Sequence, residues 1–234
     1  MDKVELKDLH IYKLKTIKEF HVESEIYIDN DNLYKIIVPY FITGREKIVG
    51  RLNKYNIEGT IVPQKKIIMT NHKQEIFKGY VMHYYKEYIN LKKLLDSNSL
   101  TIDQRITIVK KINEIYRRIL EYGYVFTDCK LSNIIVNNTS TLFSDMDSIK
   151  PINSKIMQKE KEKIFLTSLS LLLNVNIKKK DLNEENINYI KSVITSNYLL
   201  QIIDNYFNGK ENTKFKEDIY LDNCLDSIKL NLIK

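Results

Sequence analysis

Along the first third of the chain, apolar positions recur at a period of two in short β-branched and aromatic runs: Thr16 to Val22, Glu25 to Asp29, Leu33 to Val38, Ile67 to Thr70 and Tyr80 to Tyr84. Alternation bounded by turn residues predicts half-buried strands. Between the second and third runs, Asp29-Asn30-Asp31-Asn32 predicts a hairpin turn, because Asn and Asp tolerate positive φ and bond their own backbone. One stretch departs from the alternation. Ile48, Leu52 and Tyr55 fall at helical spacing and predict a helix over Thr43 to Tyr55, with Thr43 as its cap.

After Glu87 the period becomes helical. A short helix is expected over Asn90 to Leu95, and a long one from Thr101, where Thr101 and Gln104 form a capping-box pair. Ile102, Ile106, Val109, Ile112, Tyr116 and Ile119 then share one face until Gly123 supplies a stop. Two short apolar runs, Ser132 to Val136 and Thr141 to Phe143, flank Asn137-Asn138-Thr139-Ser140 and read as a second small hairpin. Helical periodicity returns in Lys155 to Leu173, in Glu184 to Ser196, and more faintly towards the C-terminus. The pattern predicts an α+β chain of two lobes: residues 1–85, mostly strands with one inserted helix, and residues 86–234, mostly helical.

Composition narrows the function classes. With 234 residues, 43% hydrophobic and 29% charged, the chain has material for a core, which excludes disorder and fibres. The longest apolar run, Ile164 to Leu173, is broken by Thr167, Ser168 and Ser170 and falls short of a membrane span, so no span is expected. Met1 to Leu9 alternates charge with single apolar residues and lacks a signal-peptide h-region. Cys129 and Cys224 have no CxxC spacing, and four dispersed histidines form no zinc pattern, so a reducing cytoplasm is the expected compartment. A net charge of +7 favours polyanionic partners, but no recognition helix gathers the basic residues, so nucleic acid is not the expected partner.

The informative segment runs from Tyr122 to Val136, containing Asp128, Lys130 and Asn133, and continues through Leu142-Phe143-Ser144-Asp145-Met146-Asp147. An Asp on a loop after a long helix, a Lys two residues on, an Asn five on, then a strand pair ending in Asp, resembles the catalytic and metal-binding segments of the protein-kinase-like superfamily. The resemblance covers about residues 15 to 175. It implies a two-lobed kinase-like fold with a β-rich N-lobe, a helical C-lobe and a reduced activation segment, and an ATP- and Mg²⁺-dependent phosphotransferase acting on a hydroxyl. A protein Ser or Thr is the first acceptor it suggests, a small molecule the second. Under that resemblance Asp128 orients or accepts the hydroxyl proton, Lys130 places a cation at the transferring phosphoryl group, and Asn133 and Asp145 supply hard oxygen ligands for Mg²⁺.

The same resemblance assigns Lys35, on the third strand, to the nucleotide phosphates, with Glu46 of the inserted helix as its ion-pair partner. A lysine flanked by Leu33, Tyr34, Ile36 and Ile37 needs such a partner, because burying an unpaired charge is costly. Met82 falls at the inner wall of an adenine pocket, and His83, Tyr84 and Tyr85 lend backbone groups to adenine. Four departures stand beside these matches. The phosphate-covering loop, between Phe20 and Ile26, contains no glycine; Phe126-Thr127 stands where the family has His-Arg; Met146-Asp147 stands where it has Phe-Gly; and no Ala-Pro-Glu signature follows Asp145. They keep open a second reading, a pseudokinase-like regulatory binding module. Singly, Asp128 and Asn133 read as turn formers, Lys35 as an edge-strand lysine and Glu46 as a solvated residue. Asp147 reads equally as a second metal ligand or as a cap, Lys178-Lys179-Lys180 as a solvated loop, and Cys129 as inert packing.

Overall fold

The computed structural model describes residues 1–16 and 22–173. The expected helix Glu184 to Ser196, the helicity towards the C-terminus, Lys178 to Lys180, Cys224, Phe20, His21 and most of the run Thr16 to Val22 lie outside the described residues.

Strands β1 (Asp2–Glu5), β2 (Lys15–Thr16), β3 (Ser24–Asp29) and β4 (Asn32–Ile37) precede helix α1 (Arg45–Tyr55), which is followed by β5 (Pro63–Asn71) and β6 (Gln74–His83). Then come β7 (Ile89–Asn90), α2 (Leu91–Asp96), α3 (Ile102–Glu121), β8 (Tyr124–Phe126), β9 (Ile134–Val136), β10 (Thr141–Phe143), β11 (Ile149–Pro151) and α4 (Ser154–Leu173). Contacts divide the chain into two units, residues 1–88 with 142–149, and residues 89–141 with those from 150 onward.

The first unit is built on a six-stranded sheet in the order β1-β5-β6-β4-β3-β2. All neighbours are antiparallel except β1, which runs parallel to β5. The β3–β4 turn is the expected one, with Asn30 in the left-handed region at φ 49 and Asp29 opposite Asn32. A second hairpin, β5–β6, turns at His72 (φ 46) and Lys73 (φ 66), with Asn71 opposite Gln74. It was not legible in the sequence, because no Asn-Gly or Asp-Gly marks it and the strand ends beside it, Thr70 to Ile76, are exposed and lose the apolar alternation. Both strands are accordingly longer than the runs that predicted them.

Helix α1 buries Val49 and Leu52 and ends where Asn56 turns left-handed at φ 44. Its start corrects the expectation: Gly44, at φ 79, occupies the N-cap position with no side-chain hydrogen bond, and Thr43 lies outside. The return segment, residues 142–149, is pinned to this unit by backbone bonds from Ile61 N–H to the Phe143 carbonyl (2.9 Å) and from Phe143 N–H to the Gly59 carbonyl (2.8 Å).

In the second unit α3 carries the capping box as expected: Gln104 N–H donates to Thr101 Oγ1 (3.3 Å) and Thr101 N–H to Gln104 Oε1 (2.9 Å). Ile106, Val109, Ile112, Tyr116 and Ile119 line its buried face, and Gly123 (φ 80) ends the run. Asn90 caps α2 by accepting from the Lys92 and Lys93 N–H groups. Arg105 on α3 donates to the Leu172 carbonyl of α4 (3.0 Å), whose Ile164, Leu169, Leu171 and Leu172 are buried. No helix among the described residues is long and apolar enough to cross a membrane.

Candidate functional site

In the first unit, Lys35 lies mid-strand on β4 with 4% of its surface exposed. The return segment brings two carboxylates to it. Lys35 Nζ donates to Asp145 Oδ1 and lies 3.2–3.3 Å from both oxygens of Asp147. Asp147 is engaged from two further elements: Arg45, the first residue of α1, donates from Nη1 to Oδ2 (2.6 Å), and the phenol of Tyr80 on β6 hydrogen-bonds it. The other arm of Arg45 reaches Glu23, just before β3. Asp145 adopts left-handed backbone (φ 58, ψ 39), which turns the segment sharply between the two carboxylates.

Electrostatics follow depth. Burial works against the Lys35 ammonium, but attraction to Asp147 and Asp145 outweighs it and holds the ammonium above its ordinary range. Burial also raises the Asp145 carboxyl, yet the Lys35 contact prevails and leaves it below the usual carboxylate value. Asp147 is the deeper of the two, its side chain 1% exposed against 40% for Asp145. There burial prevails over Lys35, and its carboxyl sits above the ordinary value. Burial, then the charges of Asp147 and Asp145, push the Tyr80 phenol well up, so it remains a neutral donor.

In the second unit the loop after β8 folds on itself. Asn133 donates its amide N–H groups to Asp128 Oδ2 (2.7 Å) and to the Asp128 carbonyl (3.0 Å), and Lys130 Nζ lies 2.8 Å from Asp128 Oδ2. The Asn133 amide oxygen accepts no hydrogen bond among the described residues, while the Asp128 side chain is 38% exposed. Lys163 of α4 braces the loop by donating to the Thr127 carbonyl (2.6 Å) and to Glu160 Oε1 (2.8 Å). Cys129 is buried, and burial, then Glu160 and Asp128, push its thiol up, which disfavours the thiolate there.

No protein-family model and no curated protein sequence matches the chain. Among solved structures it resembles the PAN3 pseudokinase of Neurospora crassa, with a TM-score of 0.61 and 14% identity over 94% of this chain. The fold is protein-kinase-like. The chain spans 62% of the length of that relative, and the mixed sheet with one helix ahead of a helical unit agrees with the α+β kinase-like class expected from sequence. At that identity the likeness speaks for the fold and leaves the chemistry to the residues.

Within the kinase-like frame, Lys35 and Asp145 meet, and so do Asp128, Lys130 and Asn133. Glu46 does not join Lys35. It pairs with Lys66 of β5 (2.6 Å) and is half exposed, because adjacent residues on a helix point about 100° apart and Arg45 takes the inward direction. Met82 is buried in β6 opposite Leu33. Of the three residues after it, Tyr84 spends its N–H on the Asp31 carbonyl (2.7 Å), and the Tyr85 carbonyl accepts from Tyr88 N–H (3.2 Å). The Tyr85 N–H makes no hydrogen bond among the described residues, which leaves it as a donor for a ligand edge. His83, Tyr85 and Tyr88 stack edge to face, with centroids 4.6 and 5.0 Å apart.

Sequence reasoning missed Arg45, Tyr80 and Glu23, and left Asp147 undecided. One signal was available: a cation in the first turn of a helix opposes the macrodipole, so Arg45 needed anions nearby. For Mg²⁺, no group of three or more His, Cys, Asp and Glu among the described residues is arranged as a cage. Mg²⁺ binds through one or two protein oxygens plus phosphates and water. In the first unit Asp145 offers a partly exposed carboxylate and in the second Asn133 an uncommitted amide oxygen, and each taken by itself is the hard oxygen donor that Mg²⁺ takes.

Proposed function

We propose that the protein is an ATP- and Mg²⁺-dependent phosphotransferase that passes the γ-phosphate to a hydroxyl, with a protein Ser or Thr as the acceptor class. The observation supporting it is the contact between Lys35 and Asp145, residues 110 apart that two independent motif positions single out. In this reading Lys35 neutralises nucleotide phosphates, the Tyr85 N–H meets the adenine edge beside Met82 and His83, and Asp145 and Asn133 are the oxygen donors that the resemblance gives to Mg²⁺, which would offset phosphate charge when bound. Asp128 orients the attacking hydroxyl and takes its proton, kept in place by the Asn133 amide. Lys130, 55% exposed beside Asp128, supplies the cation for the transferring phosphoryl group.

A second reading, a regulatory pseudokinase, is favoured by one observation: Val22-Glu23-Ser24-Glu25 offers no glycine for close backbone approach to phosphates, and Glu23 adds negative charge there. Incubation with γ-labelled ATP, Mg²⁺ and a generic acceptor protein separates the two. Transfer is expected from the wild-type chain, and a drop of about 10²-fold or more in both Asp128→Ala and Asp145→Asn. Mg²⁺-dependent ATP binding without transfer to the acceptor or to the chain itself would rule out the protein acceptor and leave a small-molecule kinase or a pseudokinase, and no ATP binding at all would instead support the binding module. Wild-type turnover in Asp145→Asn would remove Asp145 from the metal site.

A further inference from the structure

We propose that Asp147, held by Arg45, positions Lys35, the role that a helix glutamate fills in the kinase-like pattern. The inference rests on the proposed function only in what Lys35 is positioned for.

Asp147 is enclosed by donors from three elements: Lys35 from β4, Arg45 from α1 and Tyr80 from β6. Its carboxylate is the deepest anion of the cluster and touches the ammonium with both oxygens. Asp145 also touches Lys35, but its side chain is 40% exposed and it is the residue proposed to turn towards the metal, so it cannot hold the lysine while serving that role. Asp147 has no such exposed side.

Arg45 completes the balance. Lys35 and Arg45 set two cations against Asp145 and Asp147; without Arg45, one cation would face two carboxylates in a largely buried space, an arrangement with high desolvation cost. The guanidinium spans two anions, Nη1 on Asp147 and Nη2 on Glu23, a forked contact that lysine cannot reproduce in full. The helix therefore acts on Lys35 through a cation and an intervening carboxylate, where the kinase-like pattern uses a single carboxylate. Glu46, on the next position of α1, is committed to Lys66 on the exposed side.

The test uses the full chain without nucleotide, labelled with ¹³C at the lysine ε-carbon, with the Lys35 signal assigned through Lys35→Arg. Asp147→Asn and Arg45→Met are expected to displace that signal, while Glu46→Gln leaves it in place. Calorimetry with Mg·ATP is expected to show about tenfold weaker binding in Asp147→Asn. The Lys35→Met, Asp147→Asn double variant should bind no more weakly than Lys35→Met alone, because a residue acting through another is not additive with it, whereas a general loss of structure would add. Should Arg45→Met fail to fold, Asp147→Asn, which keeps the side-chain volume, reads the same link. A Lys35 signal moved by Glu46→Gln and untouched by Asp147→Asn overturns the proposal. If the wild-type chain binds no nucleotide yet the signal pattern holds, the positioning stands and the phosphotransferase reading falls.

Discussion

Lys35 shows why a strand can carry a charge in its buried register. Its neighbours on β4 alternate between buried and half-buried, and the ammonium stays ionised because two carboxylates arrive from a distant segment to meet it. The same logic runs at smaller scale on β3, where the Tyr27 phenol donates to Glu25 Oε2 (2.6 Å) and is pushed up to about 12, first by that bond, then by burial and the Glu25 charge. A folded value above the unfolded 10.0 means that this contact stabilises the fold fully below pH 10 and is lost as the pH rises through about 12. With 16 tyrosines in the chain, an ultraviolet difference titration of wild type against Glu25→Gln is the measurement. One phenol is expected to move back towards 10, and identical titrations would rule out the Glu25 contact. At this scale the resemblance singled out Lys35, Asp128, Lys130, Asn133 and Asp145, and the structure brings Lys35 to Asp145 and Asp128 to Lys130 and Asn133. Arg45 was not, because an arginine beside a glutamate in a first helical turn reads as solvated charge until its surroundings are known.

At the scale of elements, the cluster depends on how closely β4 and β6 approach. Gly79 on β6 sits opposite Ile36 and Ile67, and a Cβ at that position would stand 1.9 Å from the Lys35 carbonyl oxygen and 3.0 Å from its carbon. These are backbone atoms that no rotamer change relieves. Gly79→Ala is therefore expected to destabilise the chain by about 3 kcal/mol, the upper part of the overpacking range, and to displace Lys35 from Asp145 and Asp147. Urea unfolding should show a lower midpoint at unchanged slope, and an unshifted midpoint would mean that the strands part without cost. The sequence located β3, β4, α1 and α3 through their periods, and the capping box of α3 atom for atom. It understated β5 and β6 because their exposed ends carry no apolar alternation, and it gave no sign of β1, whose partner lies about sixty residues away in sequence.

For the molecule as a whole, the notable feature is that residues 142–149 return to the unit formed by residues 1–88. Phe143 is held by Gly59 and Ile61, and Asp145 and Asp147 follow within four residues. A fragment ending at Tyr88 would keep Lys35 and lose both its partners. An uncompensated buried charge costs about 3–5 kcal/mol, against a typical domain stability of about 5–15 kcal/mol. Residues 1–88 alone are thus expected to lack the cooperative urea transition of the full chain, while a sharp transition in the fragment would show the return segment to be dispensable for folding.

From the sequence alone came the order of strand-rich and helical parts, the principal helices, the cap and stop of α3, and the residue types that resemble a phosphoryl-transfer set, since all of these depend on neighbours a few positions apart. Tertiary structure decided which charges meet. Lys35 reaches Asp145 and Asp147 across 110 and 112 residues, Arg45 turns inward and Glu46 outward, and Tyr84 spends its N–H on Asp31. Such pairings are set by the register of strands and the phase of a helix against a sheet, and residue types leave both undetermined until the chain has closed its long-range contacts.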